Sequence, residues 1–128
     1  MHRLINPAAV AGSPSYSHGV EVEGPARWLA IAGQVGRAAD GGIPDGIAAQ
    51  AEIAWRNLDT VLREAGMSMS DLVTVTVYLV NRDDNAGFDA VRAKWLAGAR
   101  PASTKLYISG LAHPKMLCEV QALAAKAV

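Results

Sequence analysis

A carboxylate set among apolar residues is the first candidate for acid–base chemistry in this sequence of 128 residues. Glu119 lies in Leu117–Ala124, whose pattern predicts a strand. Burial there would raise its pKa and suit a general acid or base. The alternative is a carboxylate at the rim, paired with a neighbouring cation. Its neighbour Cys118 points to the opposite face and is predicted to be a core thiol.

A second group of polar side chains shares one face of a predicted strand over residues 103–109. Ser103, Lys105 and Tyr107 are two residues apart, so that all three point to the same side. Such a face offers a hydroxyl, a cation and an aromatic ring to a bound molecule. The competing interpretation places the lysine in solvent, where this residue type is usually found.

Other common kinds of site have no counterpart in the sequence. The three histidines, at positions 2, 18 and 113, have no metal-ligand spacing, and the single cysteine has no partner thiol. Phosphate-binding loops, dinucleotide fingerprints and hydrolase elbow motifs are missing. We therefore expect no metal and no cofactor. The lone cysteine and the lack of a signal peptide or a long apolar run predict a cytoplasmic protein that does not bind a membrane.

Composition narrows the function classes further. Apolar residues make up 51% and charged residues 19% of the chain, which excludes a highly charged disordered segment. Twelve basic and twelve acidic residues give a net charge of zero, which argues against nucleic acid as a partner. Low net charge also tolerates self-association. The length predicts a single domain over residues 1–128.

These side chains must be positioned by an α+β domain with the element order β-β-β-α-β-α-β-β. The runs 20–23 and 28–33 flank Gly24-Pro25 and predict a hairpin with its turn at residues 24–27. Asp45 is predicted to cap the first helix, and Gly66 to end it in the left-handed conformation. Both helices are expected on one face of a mixed sheet, so that the other face must be polar or covered by another subunit.

Six stretches in this order resemble the Rid family of reactive-intermediate deaminases, also called the YjgF family. None is specific alone, but together they cover nearly the whole chain. They are Ser13–Val20, Ile31–Gly36, Gln50–Leu58, Asp71–Leu79, Arg100–Thr104 and Leu117–Ala122.

The resemblance implies a chorismate-mutase-like fold and a homotrimer with small-molecule clefts between subunits. It also implies hydrolysis of imines or enamines, with Glu119 and Tyr16 positioning a water and moving protons. Gly33 matches the glycine of the family's S-G-Q element and is expected to line the substrate site. Tyr107 is expected either to stack on a ligand or to pack at the trimer interface.

One departure from the family pattern concerns the substrate itself. The family arginine that grips a substrate carboxylate is replaced by Ser103, which has no charge. Two cations are new, Lys105 beside it on the strand and Arg92 on the second helix. Our hypothesis is that one of them binds an anionic group in place of the lost arginine. The alternative is that both are surface residues.

Three functions follow from this pattern. The first is a hydrolase acting on a small imine, enamine or related carbon–nitrogen compound, which Glu119 and Tyr16 favour. The second is a non-catalytic trimer that binds a small metabolite, which the loss of the arginine at Ser103 favours. The third, an endoribonuclease or translation inhibitor, is a label carried by some relatives and is opposed by the balanced charge.

Overall fold

The computed structural model describes residues 2–128. Six strands and two helices follow one another in the predicted order, with short 3₁₀ turns at Met69–Asp71 and Arg82–Asp84. The elements are β1 (His2–Ile5), β2 (Gly19–Val22), β3 (Ala26–Val35), α1 (Ile47–Glu64), β4 (Leu72–Leu79), α2 (Asn85–Leu96), β5 (Ala102–Tyr107) and β6 (Cys118–Ala127).

The main sheet has four strands in the order β3-β6-β4-β5. Strand β6 is antiparallel to both β3 and β4, whereas β4 and β5 are parallel, which confirms the prediction of a mixed sheet. Helix α2 makes the crossover that two parallel neighbours require. Strand β5 is therefore one edge of the sheet and β6 lies inside it.

The predicted hairpin between residues 20–23 and 28–33 is wrong. Strand β2 pairs with β1 in a separate two-stranded sheet, and β3 pairs along its length with β6. A turn does form at Gly24-Pro25, where Gly24 has a positive φ of 78°. It directs the chain from the two-stranded sheet to the main sheet, because β3 buries its apolar face only by joining the strands beneath the helices.

Both helices pack on one face of the main sheet, as predicted. Buried residues of α1 recur at spacings of three and four, which forms one apolar stripe along the helix. This stripe meets alternate buried residues of β4 and β6, whose side chains point to the same side of the sheet. The central contacts involve Ala51, Ala54, Trp55, Leu58, Leu62, Val75, Val77, Leu79, Phe88 and Val120.

Helix α1 begins differently from the prediction. Its N-cap is Gly46, not Asp45, and the cap makes no side-chain hydrogen bond. Gly46 has φ +86° and ψ 151°, a conformation that a side chain at this position would disfavour. Asp45 is exposed instead, with a carboxylate oxygen 3.7 Å from Lys115 Nζ. The helix end is as predicted, since Gly66 follows it with φ +72°.

The other face of the main sheet, which we call the outer face, is not covered by the helices. Trp28 on β3 is 54% exposed there and Leu106 on β5 is 44% exposed. Polar residues share this face, and Tyr78 Oη donates a hydrogen bond to Gln121 Oε1 at 3.2 Å. No helix within residues 2–128 is both long and apolar enough to cross a membrane.

Candidate functional site

The sheet divides the predicted site residues between its two faces. Ser103, Lys105 and Tyr107 stand opposite Val75, Val77 and Leu79 of β4, three core residues, and therefore point to the helix side. Glu119 stands opposite Tyr78 and points to the outer face. Within one chain, the sheet thus separates the carboxylate from the Ser103 group.

Gly33 and Glu119 are in direct contact on the outer face. Strand β3 has a bulge between Ile31 and Gln34, where its pairing with β6 slips by one residue. The bulge brings the Gly33 backbone under the Glu119 side chain, so that a Cβ at position 33 would overlap the carboxylate. Gly33 therefore makes room for a half-buried carboxylate.

Lys105 lies in the groove between α2 and β5. Its ammonium group donates to Asn85 Oδ1 at 2.5 Å and to Asp89 Oδ1 at 2.7 Å. Its side chain is only 21% exposed, which contradicts a purely surface position. Ser103, two residues earlier, is half-buried on the same side. The lysine charge is thus balanced by a carboxylate of its own chain.

Arg92 faces a cavity of about 300 Å³ at the C-terminal half of α2. The residue is only 7% exposed, so that this cation too is not a surface residue. Its Nε and Nη2 atoms are buried and have no hydrogen-bond partner among residues 2–128. Burial lowers the pKa of the Arg92 guanidinium, and the nearby Asp89 carboxylate partly opposes that shift. The cavity is lined by Pro14, Ser15, Asp89, Arg92, Ala93, Leu96, Gly98, Ala99 and Arg100.

Tyr16 is held beside the start of β5 by Arg100. The Arg100 Nη2 atom donates to the carbonyl oxygens of Ser13 and Tyr16 at 2.6 and 3.0 Å. The next residue, Ser17, donates its backbone N–H to the Pro101 carbonyl at 3.2 Å. The sequence carries no signal for this role of Arg100 beyond its place in the Arg100–Thr104 stretch, which resembles the Rid family.

Tyr107 stacks against its own chain, with the Arg82 guanidinium 4.4 Å from the ring centroid. Cys118 is fully buried, and burial raises the pKa of its thiol to about 12, which confirms the predicted core thiol. Residues 2–128 contain no group of three or more His, Cys, Asp or Glu side chains arranged to hold a metal.

A buried glutamine fixes the loops near Glu119. Gln50, only 1% exposed, donates to the carbonyls of Pro44 and Lys115 at 2.9 and 2.8 Å. Its Oε1 atom accepts the backbone N–H of Leu117 at 2.8 Å. These three bonds tie the start of α1 to the segment that leads into β6. Gln50 therefore has a structural role, since its side-chain polar atoms are already bonded within the fold.

Comparisons with known proteins agree with this architecture. The family model described as Endoribonuclease L-PSP matches residues 6–126. A 2-iminobutanoate/2-iminopropanoate deaminase from Mus musculus is 29% identical over 120 residues, covering 92% of this chain and 84% of the relative. A RutC family protein from Pyrococcus horikoshii is 34% identical over 106 residues, covering 77% of this chain and 79% of the relative.

A solved structure is similar along nearly the whole length. It is a Rid-family protein of unknown function from Yersinia pestis, with a TM-score of 0.89 and 34% identity over 98% of each chain. The α+β topology, the match of the family model to residues 6–126 and these relatives together show that the chain belongs to the Rid (YjgF) family.

Proposed function

We propose that the protein hydrolyses small imines, enamines or related carbon–nitrogen compounds at clefts between the subunits of a homotrimer in the cytoplasm. The observation that carries the proposal is the half-buried Glu119 carboxylate, which lies over Gly33 on the open face of the sheet. Relatives named as imine deaminases support the class of reaction.

A cleft between subunits would bring together site residues that lie apart within one chain. Glu119 is on the outer face, whereas Arg92 and Ser103 are on the helix side, so a second copy is needed to bring the two sets together. The exposed Trp28 and Leu106 give that face apolar surface for a second copy to cover.

The chemistry requires one water and the delivery of two protons to the nitrogen. Glu119 accepts a proton as water adds to the carbon of the C=N bond and returns it to the nitrogen, which gives a neutral tetrahedral carbinolamine. Glu119 then takes the hydroxyl proton and passes it to the nitrogen as the C–N bond breaks, so that ammonia leaves and a carbonyl compound remains. The Tyr16 hydroxyl would orient the water from the adjoining subunit. Imine plus water thus gives carbonyl compound plus ammonia, with no oxidant or reductant.

The test generates 2-iminopropanoate in situ and follows the release of ammonia and keto acid. We expect the protein to accelerate hydrolysis over buffer, and Glu119→Gln to reduce the rate about 10²- to 10⁴-fold. Glu64→Gln is the matched control, because Glu64 is exposed at the end of α1. An unaccelerated reaction, or a rate that Glu119→Gln leaves intact, would refute the assignment.

The assembly has its own test. Light scattering is expected to give the mass of three chains, and a stable monomer would remove the cleft on which the mechanism depends. Trp28→Glu places a charge on the apolar outer face, where Trp28 is exposed in the single chain. This variant is expected to dissociate the trimer while leaving the monomer fold intact.

A non-catalytic trimer that binds a small metabolite is the second candidate. It is favoured by Ser103, which has no charge, and by Lys105, whose charge is balanced by Asp89. A protein that binds a small metabolite but releases no ammonia from 2-iminopropanoate would be this non-catalytic trimer. The endoribonuclease activity in the family model's description is the third candidate, and the net charge of zero opposes it.

A further inference from the structure

The two cations that are candidates for holding an acid group differ in what already binds them. Lys105 has a carboxylate partner, Asp89, and an amide partner, Asn85, both within hydrogen-bond distance. Arg92 has neither, although it is more deeply buried than Lys105. A buried charge without a hydrogen-bond partner costs free energy that a bound anion would recover.

The unpaired atoms of Arg92 also have a particular geometry. Nε and Nη2 carry the two parallel N–H groups of one edge of the guanidinium. That edge binds both oxygens of a carboxylate at once, which a lysine ammonium cannot do. Both nitrogens are buried without a partner among residues 2–128, and the residue lines the cavity.

The lining of the cavity defines the rest of the ligand. Asp89 is neutralised by Lys105, and the Nη2 group of Arg100 is occupied by two backbone carbonyls. Arg100 keeps a buried Nε without a partner, whereas Arg92 has two unpartnered atoms on one edge, Nε and Nη2, which suit the two oxygens of a single acid group. The other lining residues are small or apolar and leave about 300 Å³, space for a short apolar substituent. They include Pro14, Ala93, Leu96 and Ala99.

We propose that the cavity beside α2 binds a small monocarboxylic acid, with the Nε–Nη2 edge of Arg92 holding its carboxylate. The inference rests on the proposed function for the view that the ligand is a substrate or product. Arg92, on the neighbouring helix, then takes the role of the arginine that is missing at position 103. Arg92, and not Lys105, is the specificity-determining cation.

The experiment measures binding and not turnover. Calorimetry compares 2-oxobutanoate, its uncharged amide and inorganic phosphate on the full chain. We expect the carboxylate to bind and both other probes to bind at least tenfold more weakly. Arg92→Lys, which keeps the charge but loses the planar edge, should weaken carboxylate binding about ten- to hundredfold. Arg56→Gln, on the exposed face of α1, is the matched control and should bind as the unaltered protein does.

A second measurement works on the unaltered protein and does not depend on how the variant folds. The ¹H–¹⁵N resonance of Arg92 Nε, assigned by its loss in Arg92→Lys, should shift as 2-oxobutanoate is added. Carboxylate binding that Arg92→Lys leaves unchanged, an Nε resonance that does not move, or equal binding of phosphate would overturn the proposal.

Calorimetric binding of 2-oxobutanoate tests the Arg92 site, and ammonia release tests the proposed function, so that the two claims can fail separately. Carboxylate binding without ammonia release would refute the hydrolase and leave the Arg92 site standing. Ammonia release that Arg92→Lys does not affect would support the hydrolase and overturn the Arg92 site.

Discussion

Two glycines near the end of β3 should respond very differently to the same added methyl group. Gly36 is buried, and a Cβ at that position would lie 2.5 Å from Gln50 Cα. The obstacle is the backbone of α1, which cannot rotate away. We therefore expect Gly36→Ala to push the start of the helix outward.

The cost has two parts. Overpacking a well-packed site costs about 1–3 kcal/mol. Displacing Gln50 also weakens its three buried hydrogen bonds, each worth about 1 kcal/mol. Gly36→Ala should therefore lower the free energy of unfolding by about 3–5 kcal/mol, which is a large share of the stability of a domain this size.

Gly33→Ala is the matched comparison. The Cβ there would meet the far end of the Glu119 side chain, which can rotate into solvent. We expect a loss of under about 1 kcal/mol together with a displaced carboxylate. Urea unfolding followed by circular dichroism measures both variants. If Gly36→Ala unfolds within about 1 kcal/mol of the unaltered protein, the close packing of Gly36 on α1 is not as described.

Three further predictions concern other features of the fold. Because burial raises the pKa of Cys118 to about 12, iodoacetamide should label the native thiol far more slowly than the urea-unfolded one; equal rates would contradict the buried thiol. The pKa of Glu52 is lowered, first by its hydrogen bond from Lys94, so its stabilising contribution is present above the ordinary value of 4.5 and lost as pH falls below it. Glu52→Gln should therefore flatten the decline of the urea midpoint at acid pH, and an unchanged decline would count against this pair. Arg100→Gln removes both bonds to the 13–16 loop and should speed proteolytic cleavage there; cleavage at the original rate would show that other contacts hold the loop.

The order and kind of the elements were predictable because each is a local pattern. Residues 47–64 repeat apolar side chains at helical spacing, and Leu72–Leu79 alternates with β-branched residues, so neither element depended on distant contacts. The hairpin prediction failed for the opposite reason. Whether β3 pairs with β2 or with a strand some ninety residues away is decided by long-range packing, which a local turn signal does not contain.

The candidate site was predictable only in part. Alternation correctly placed Ser103, Lys105 and Tyr107 on a common face, and Cys118 opposite Glu119. Alternation does not tell which face of one strand lies beside which face of the next. The sequence therefore did not reveal that Glu119 and the Ser103 group lie on opposite faces of the sheet. The partners of Lys105 were hidden as well, since Asn85 and Asp89 lie on another element.

The strand order has a consequence for how the chain is made. Strand β6 is the last of the described elements, yet it lies between β3 and β4 and pairs with both. During synthesis from the N-terminus, β3 has no neighbour in the main sheet until residues 118–127 emerge. Over that interval β3 is an unpaired, apolar strand, the state in which a polypeptide is most exposed to aggregation. Pairing of residues 118–127 with both neighbours completes the main sheet.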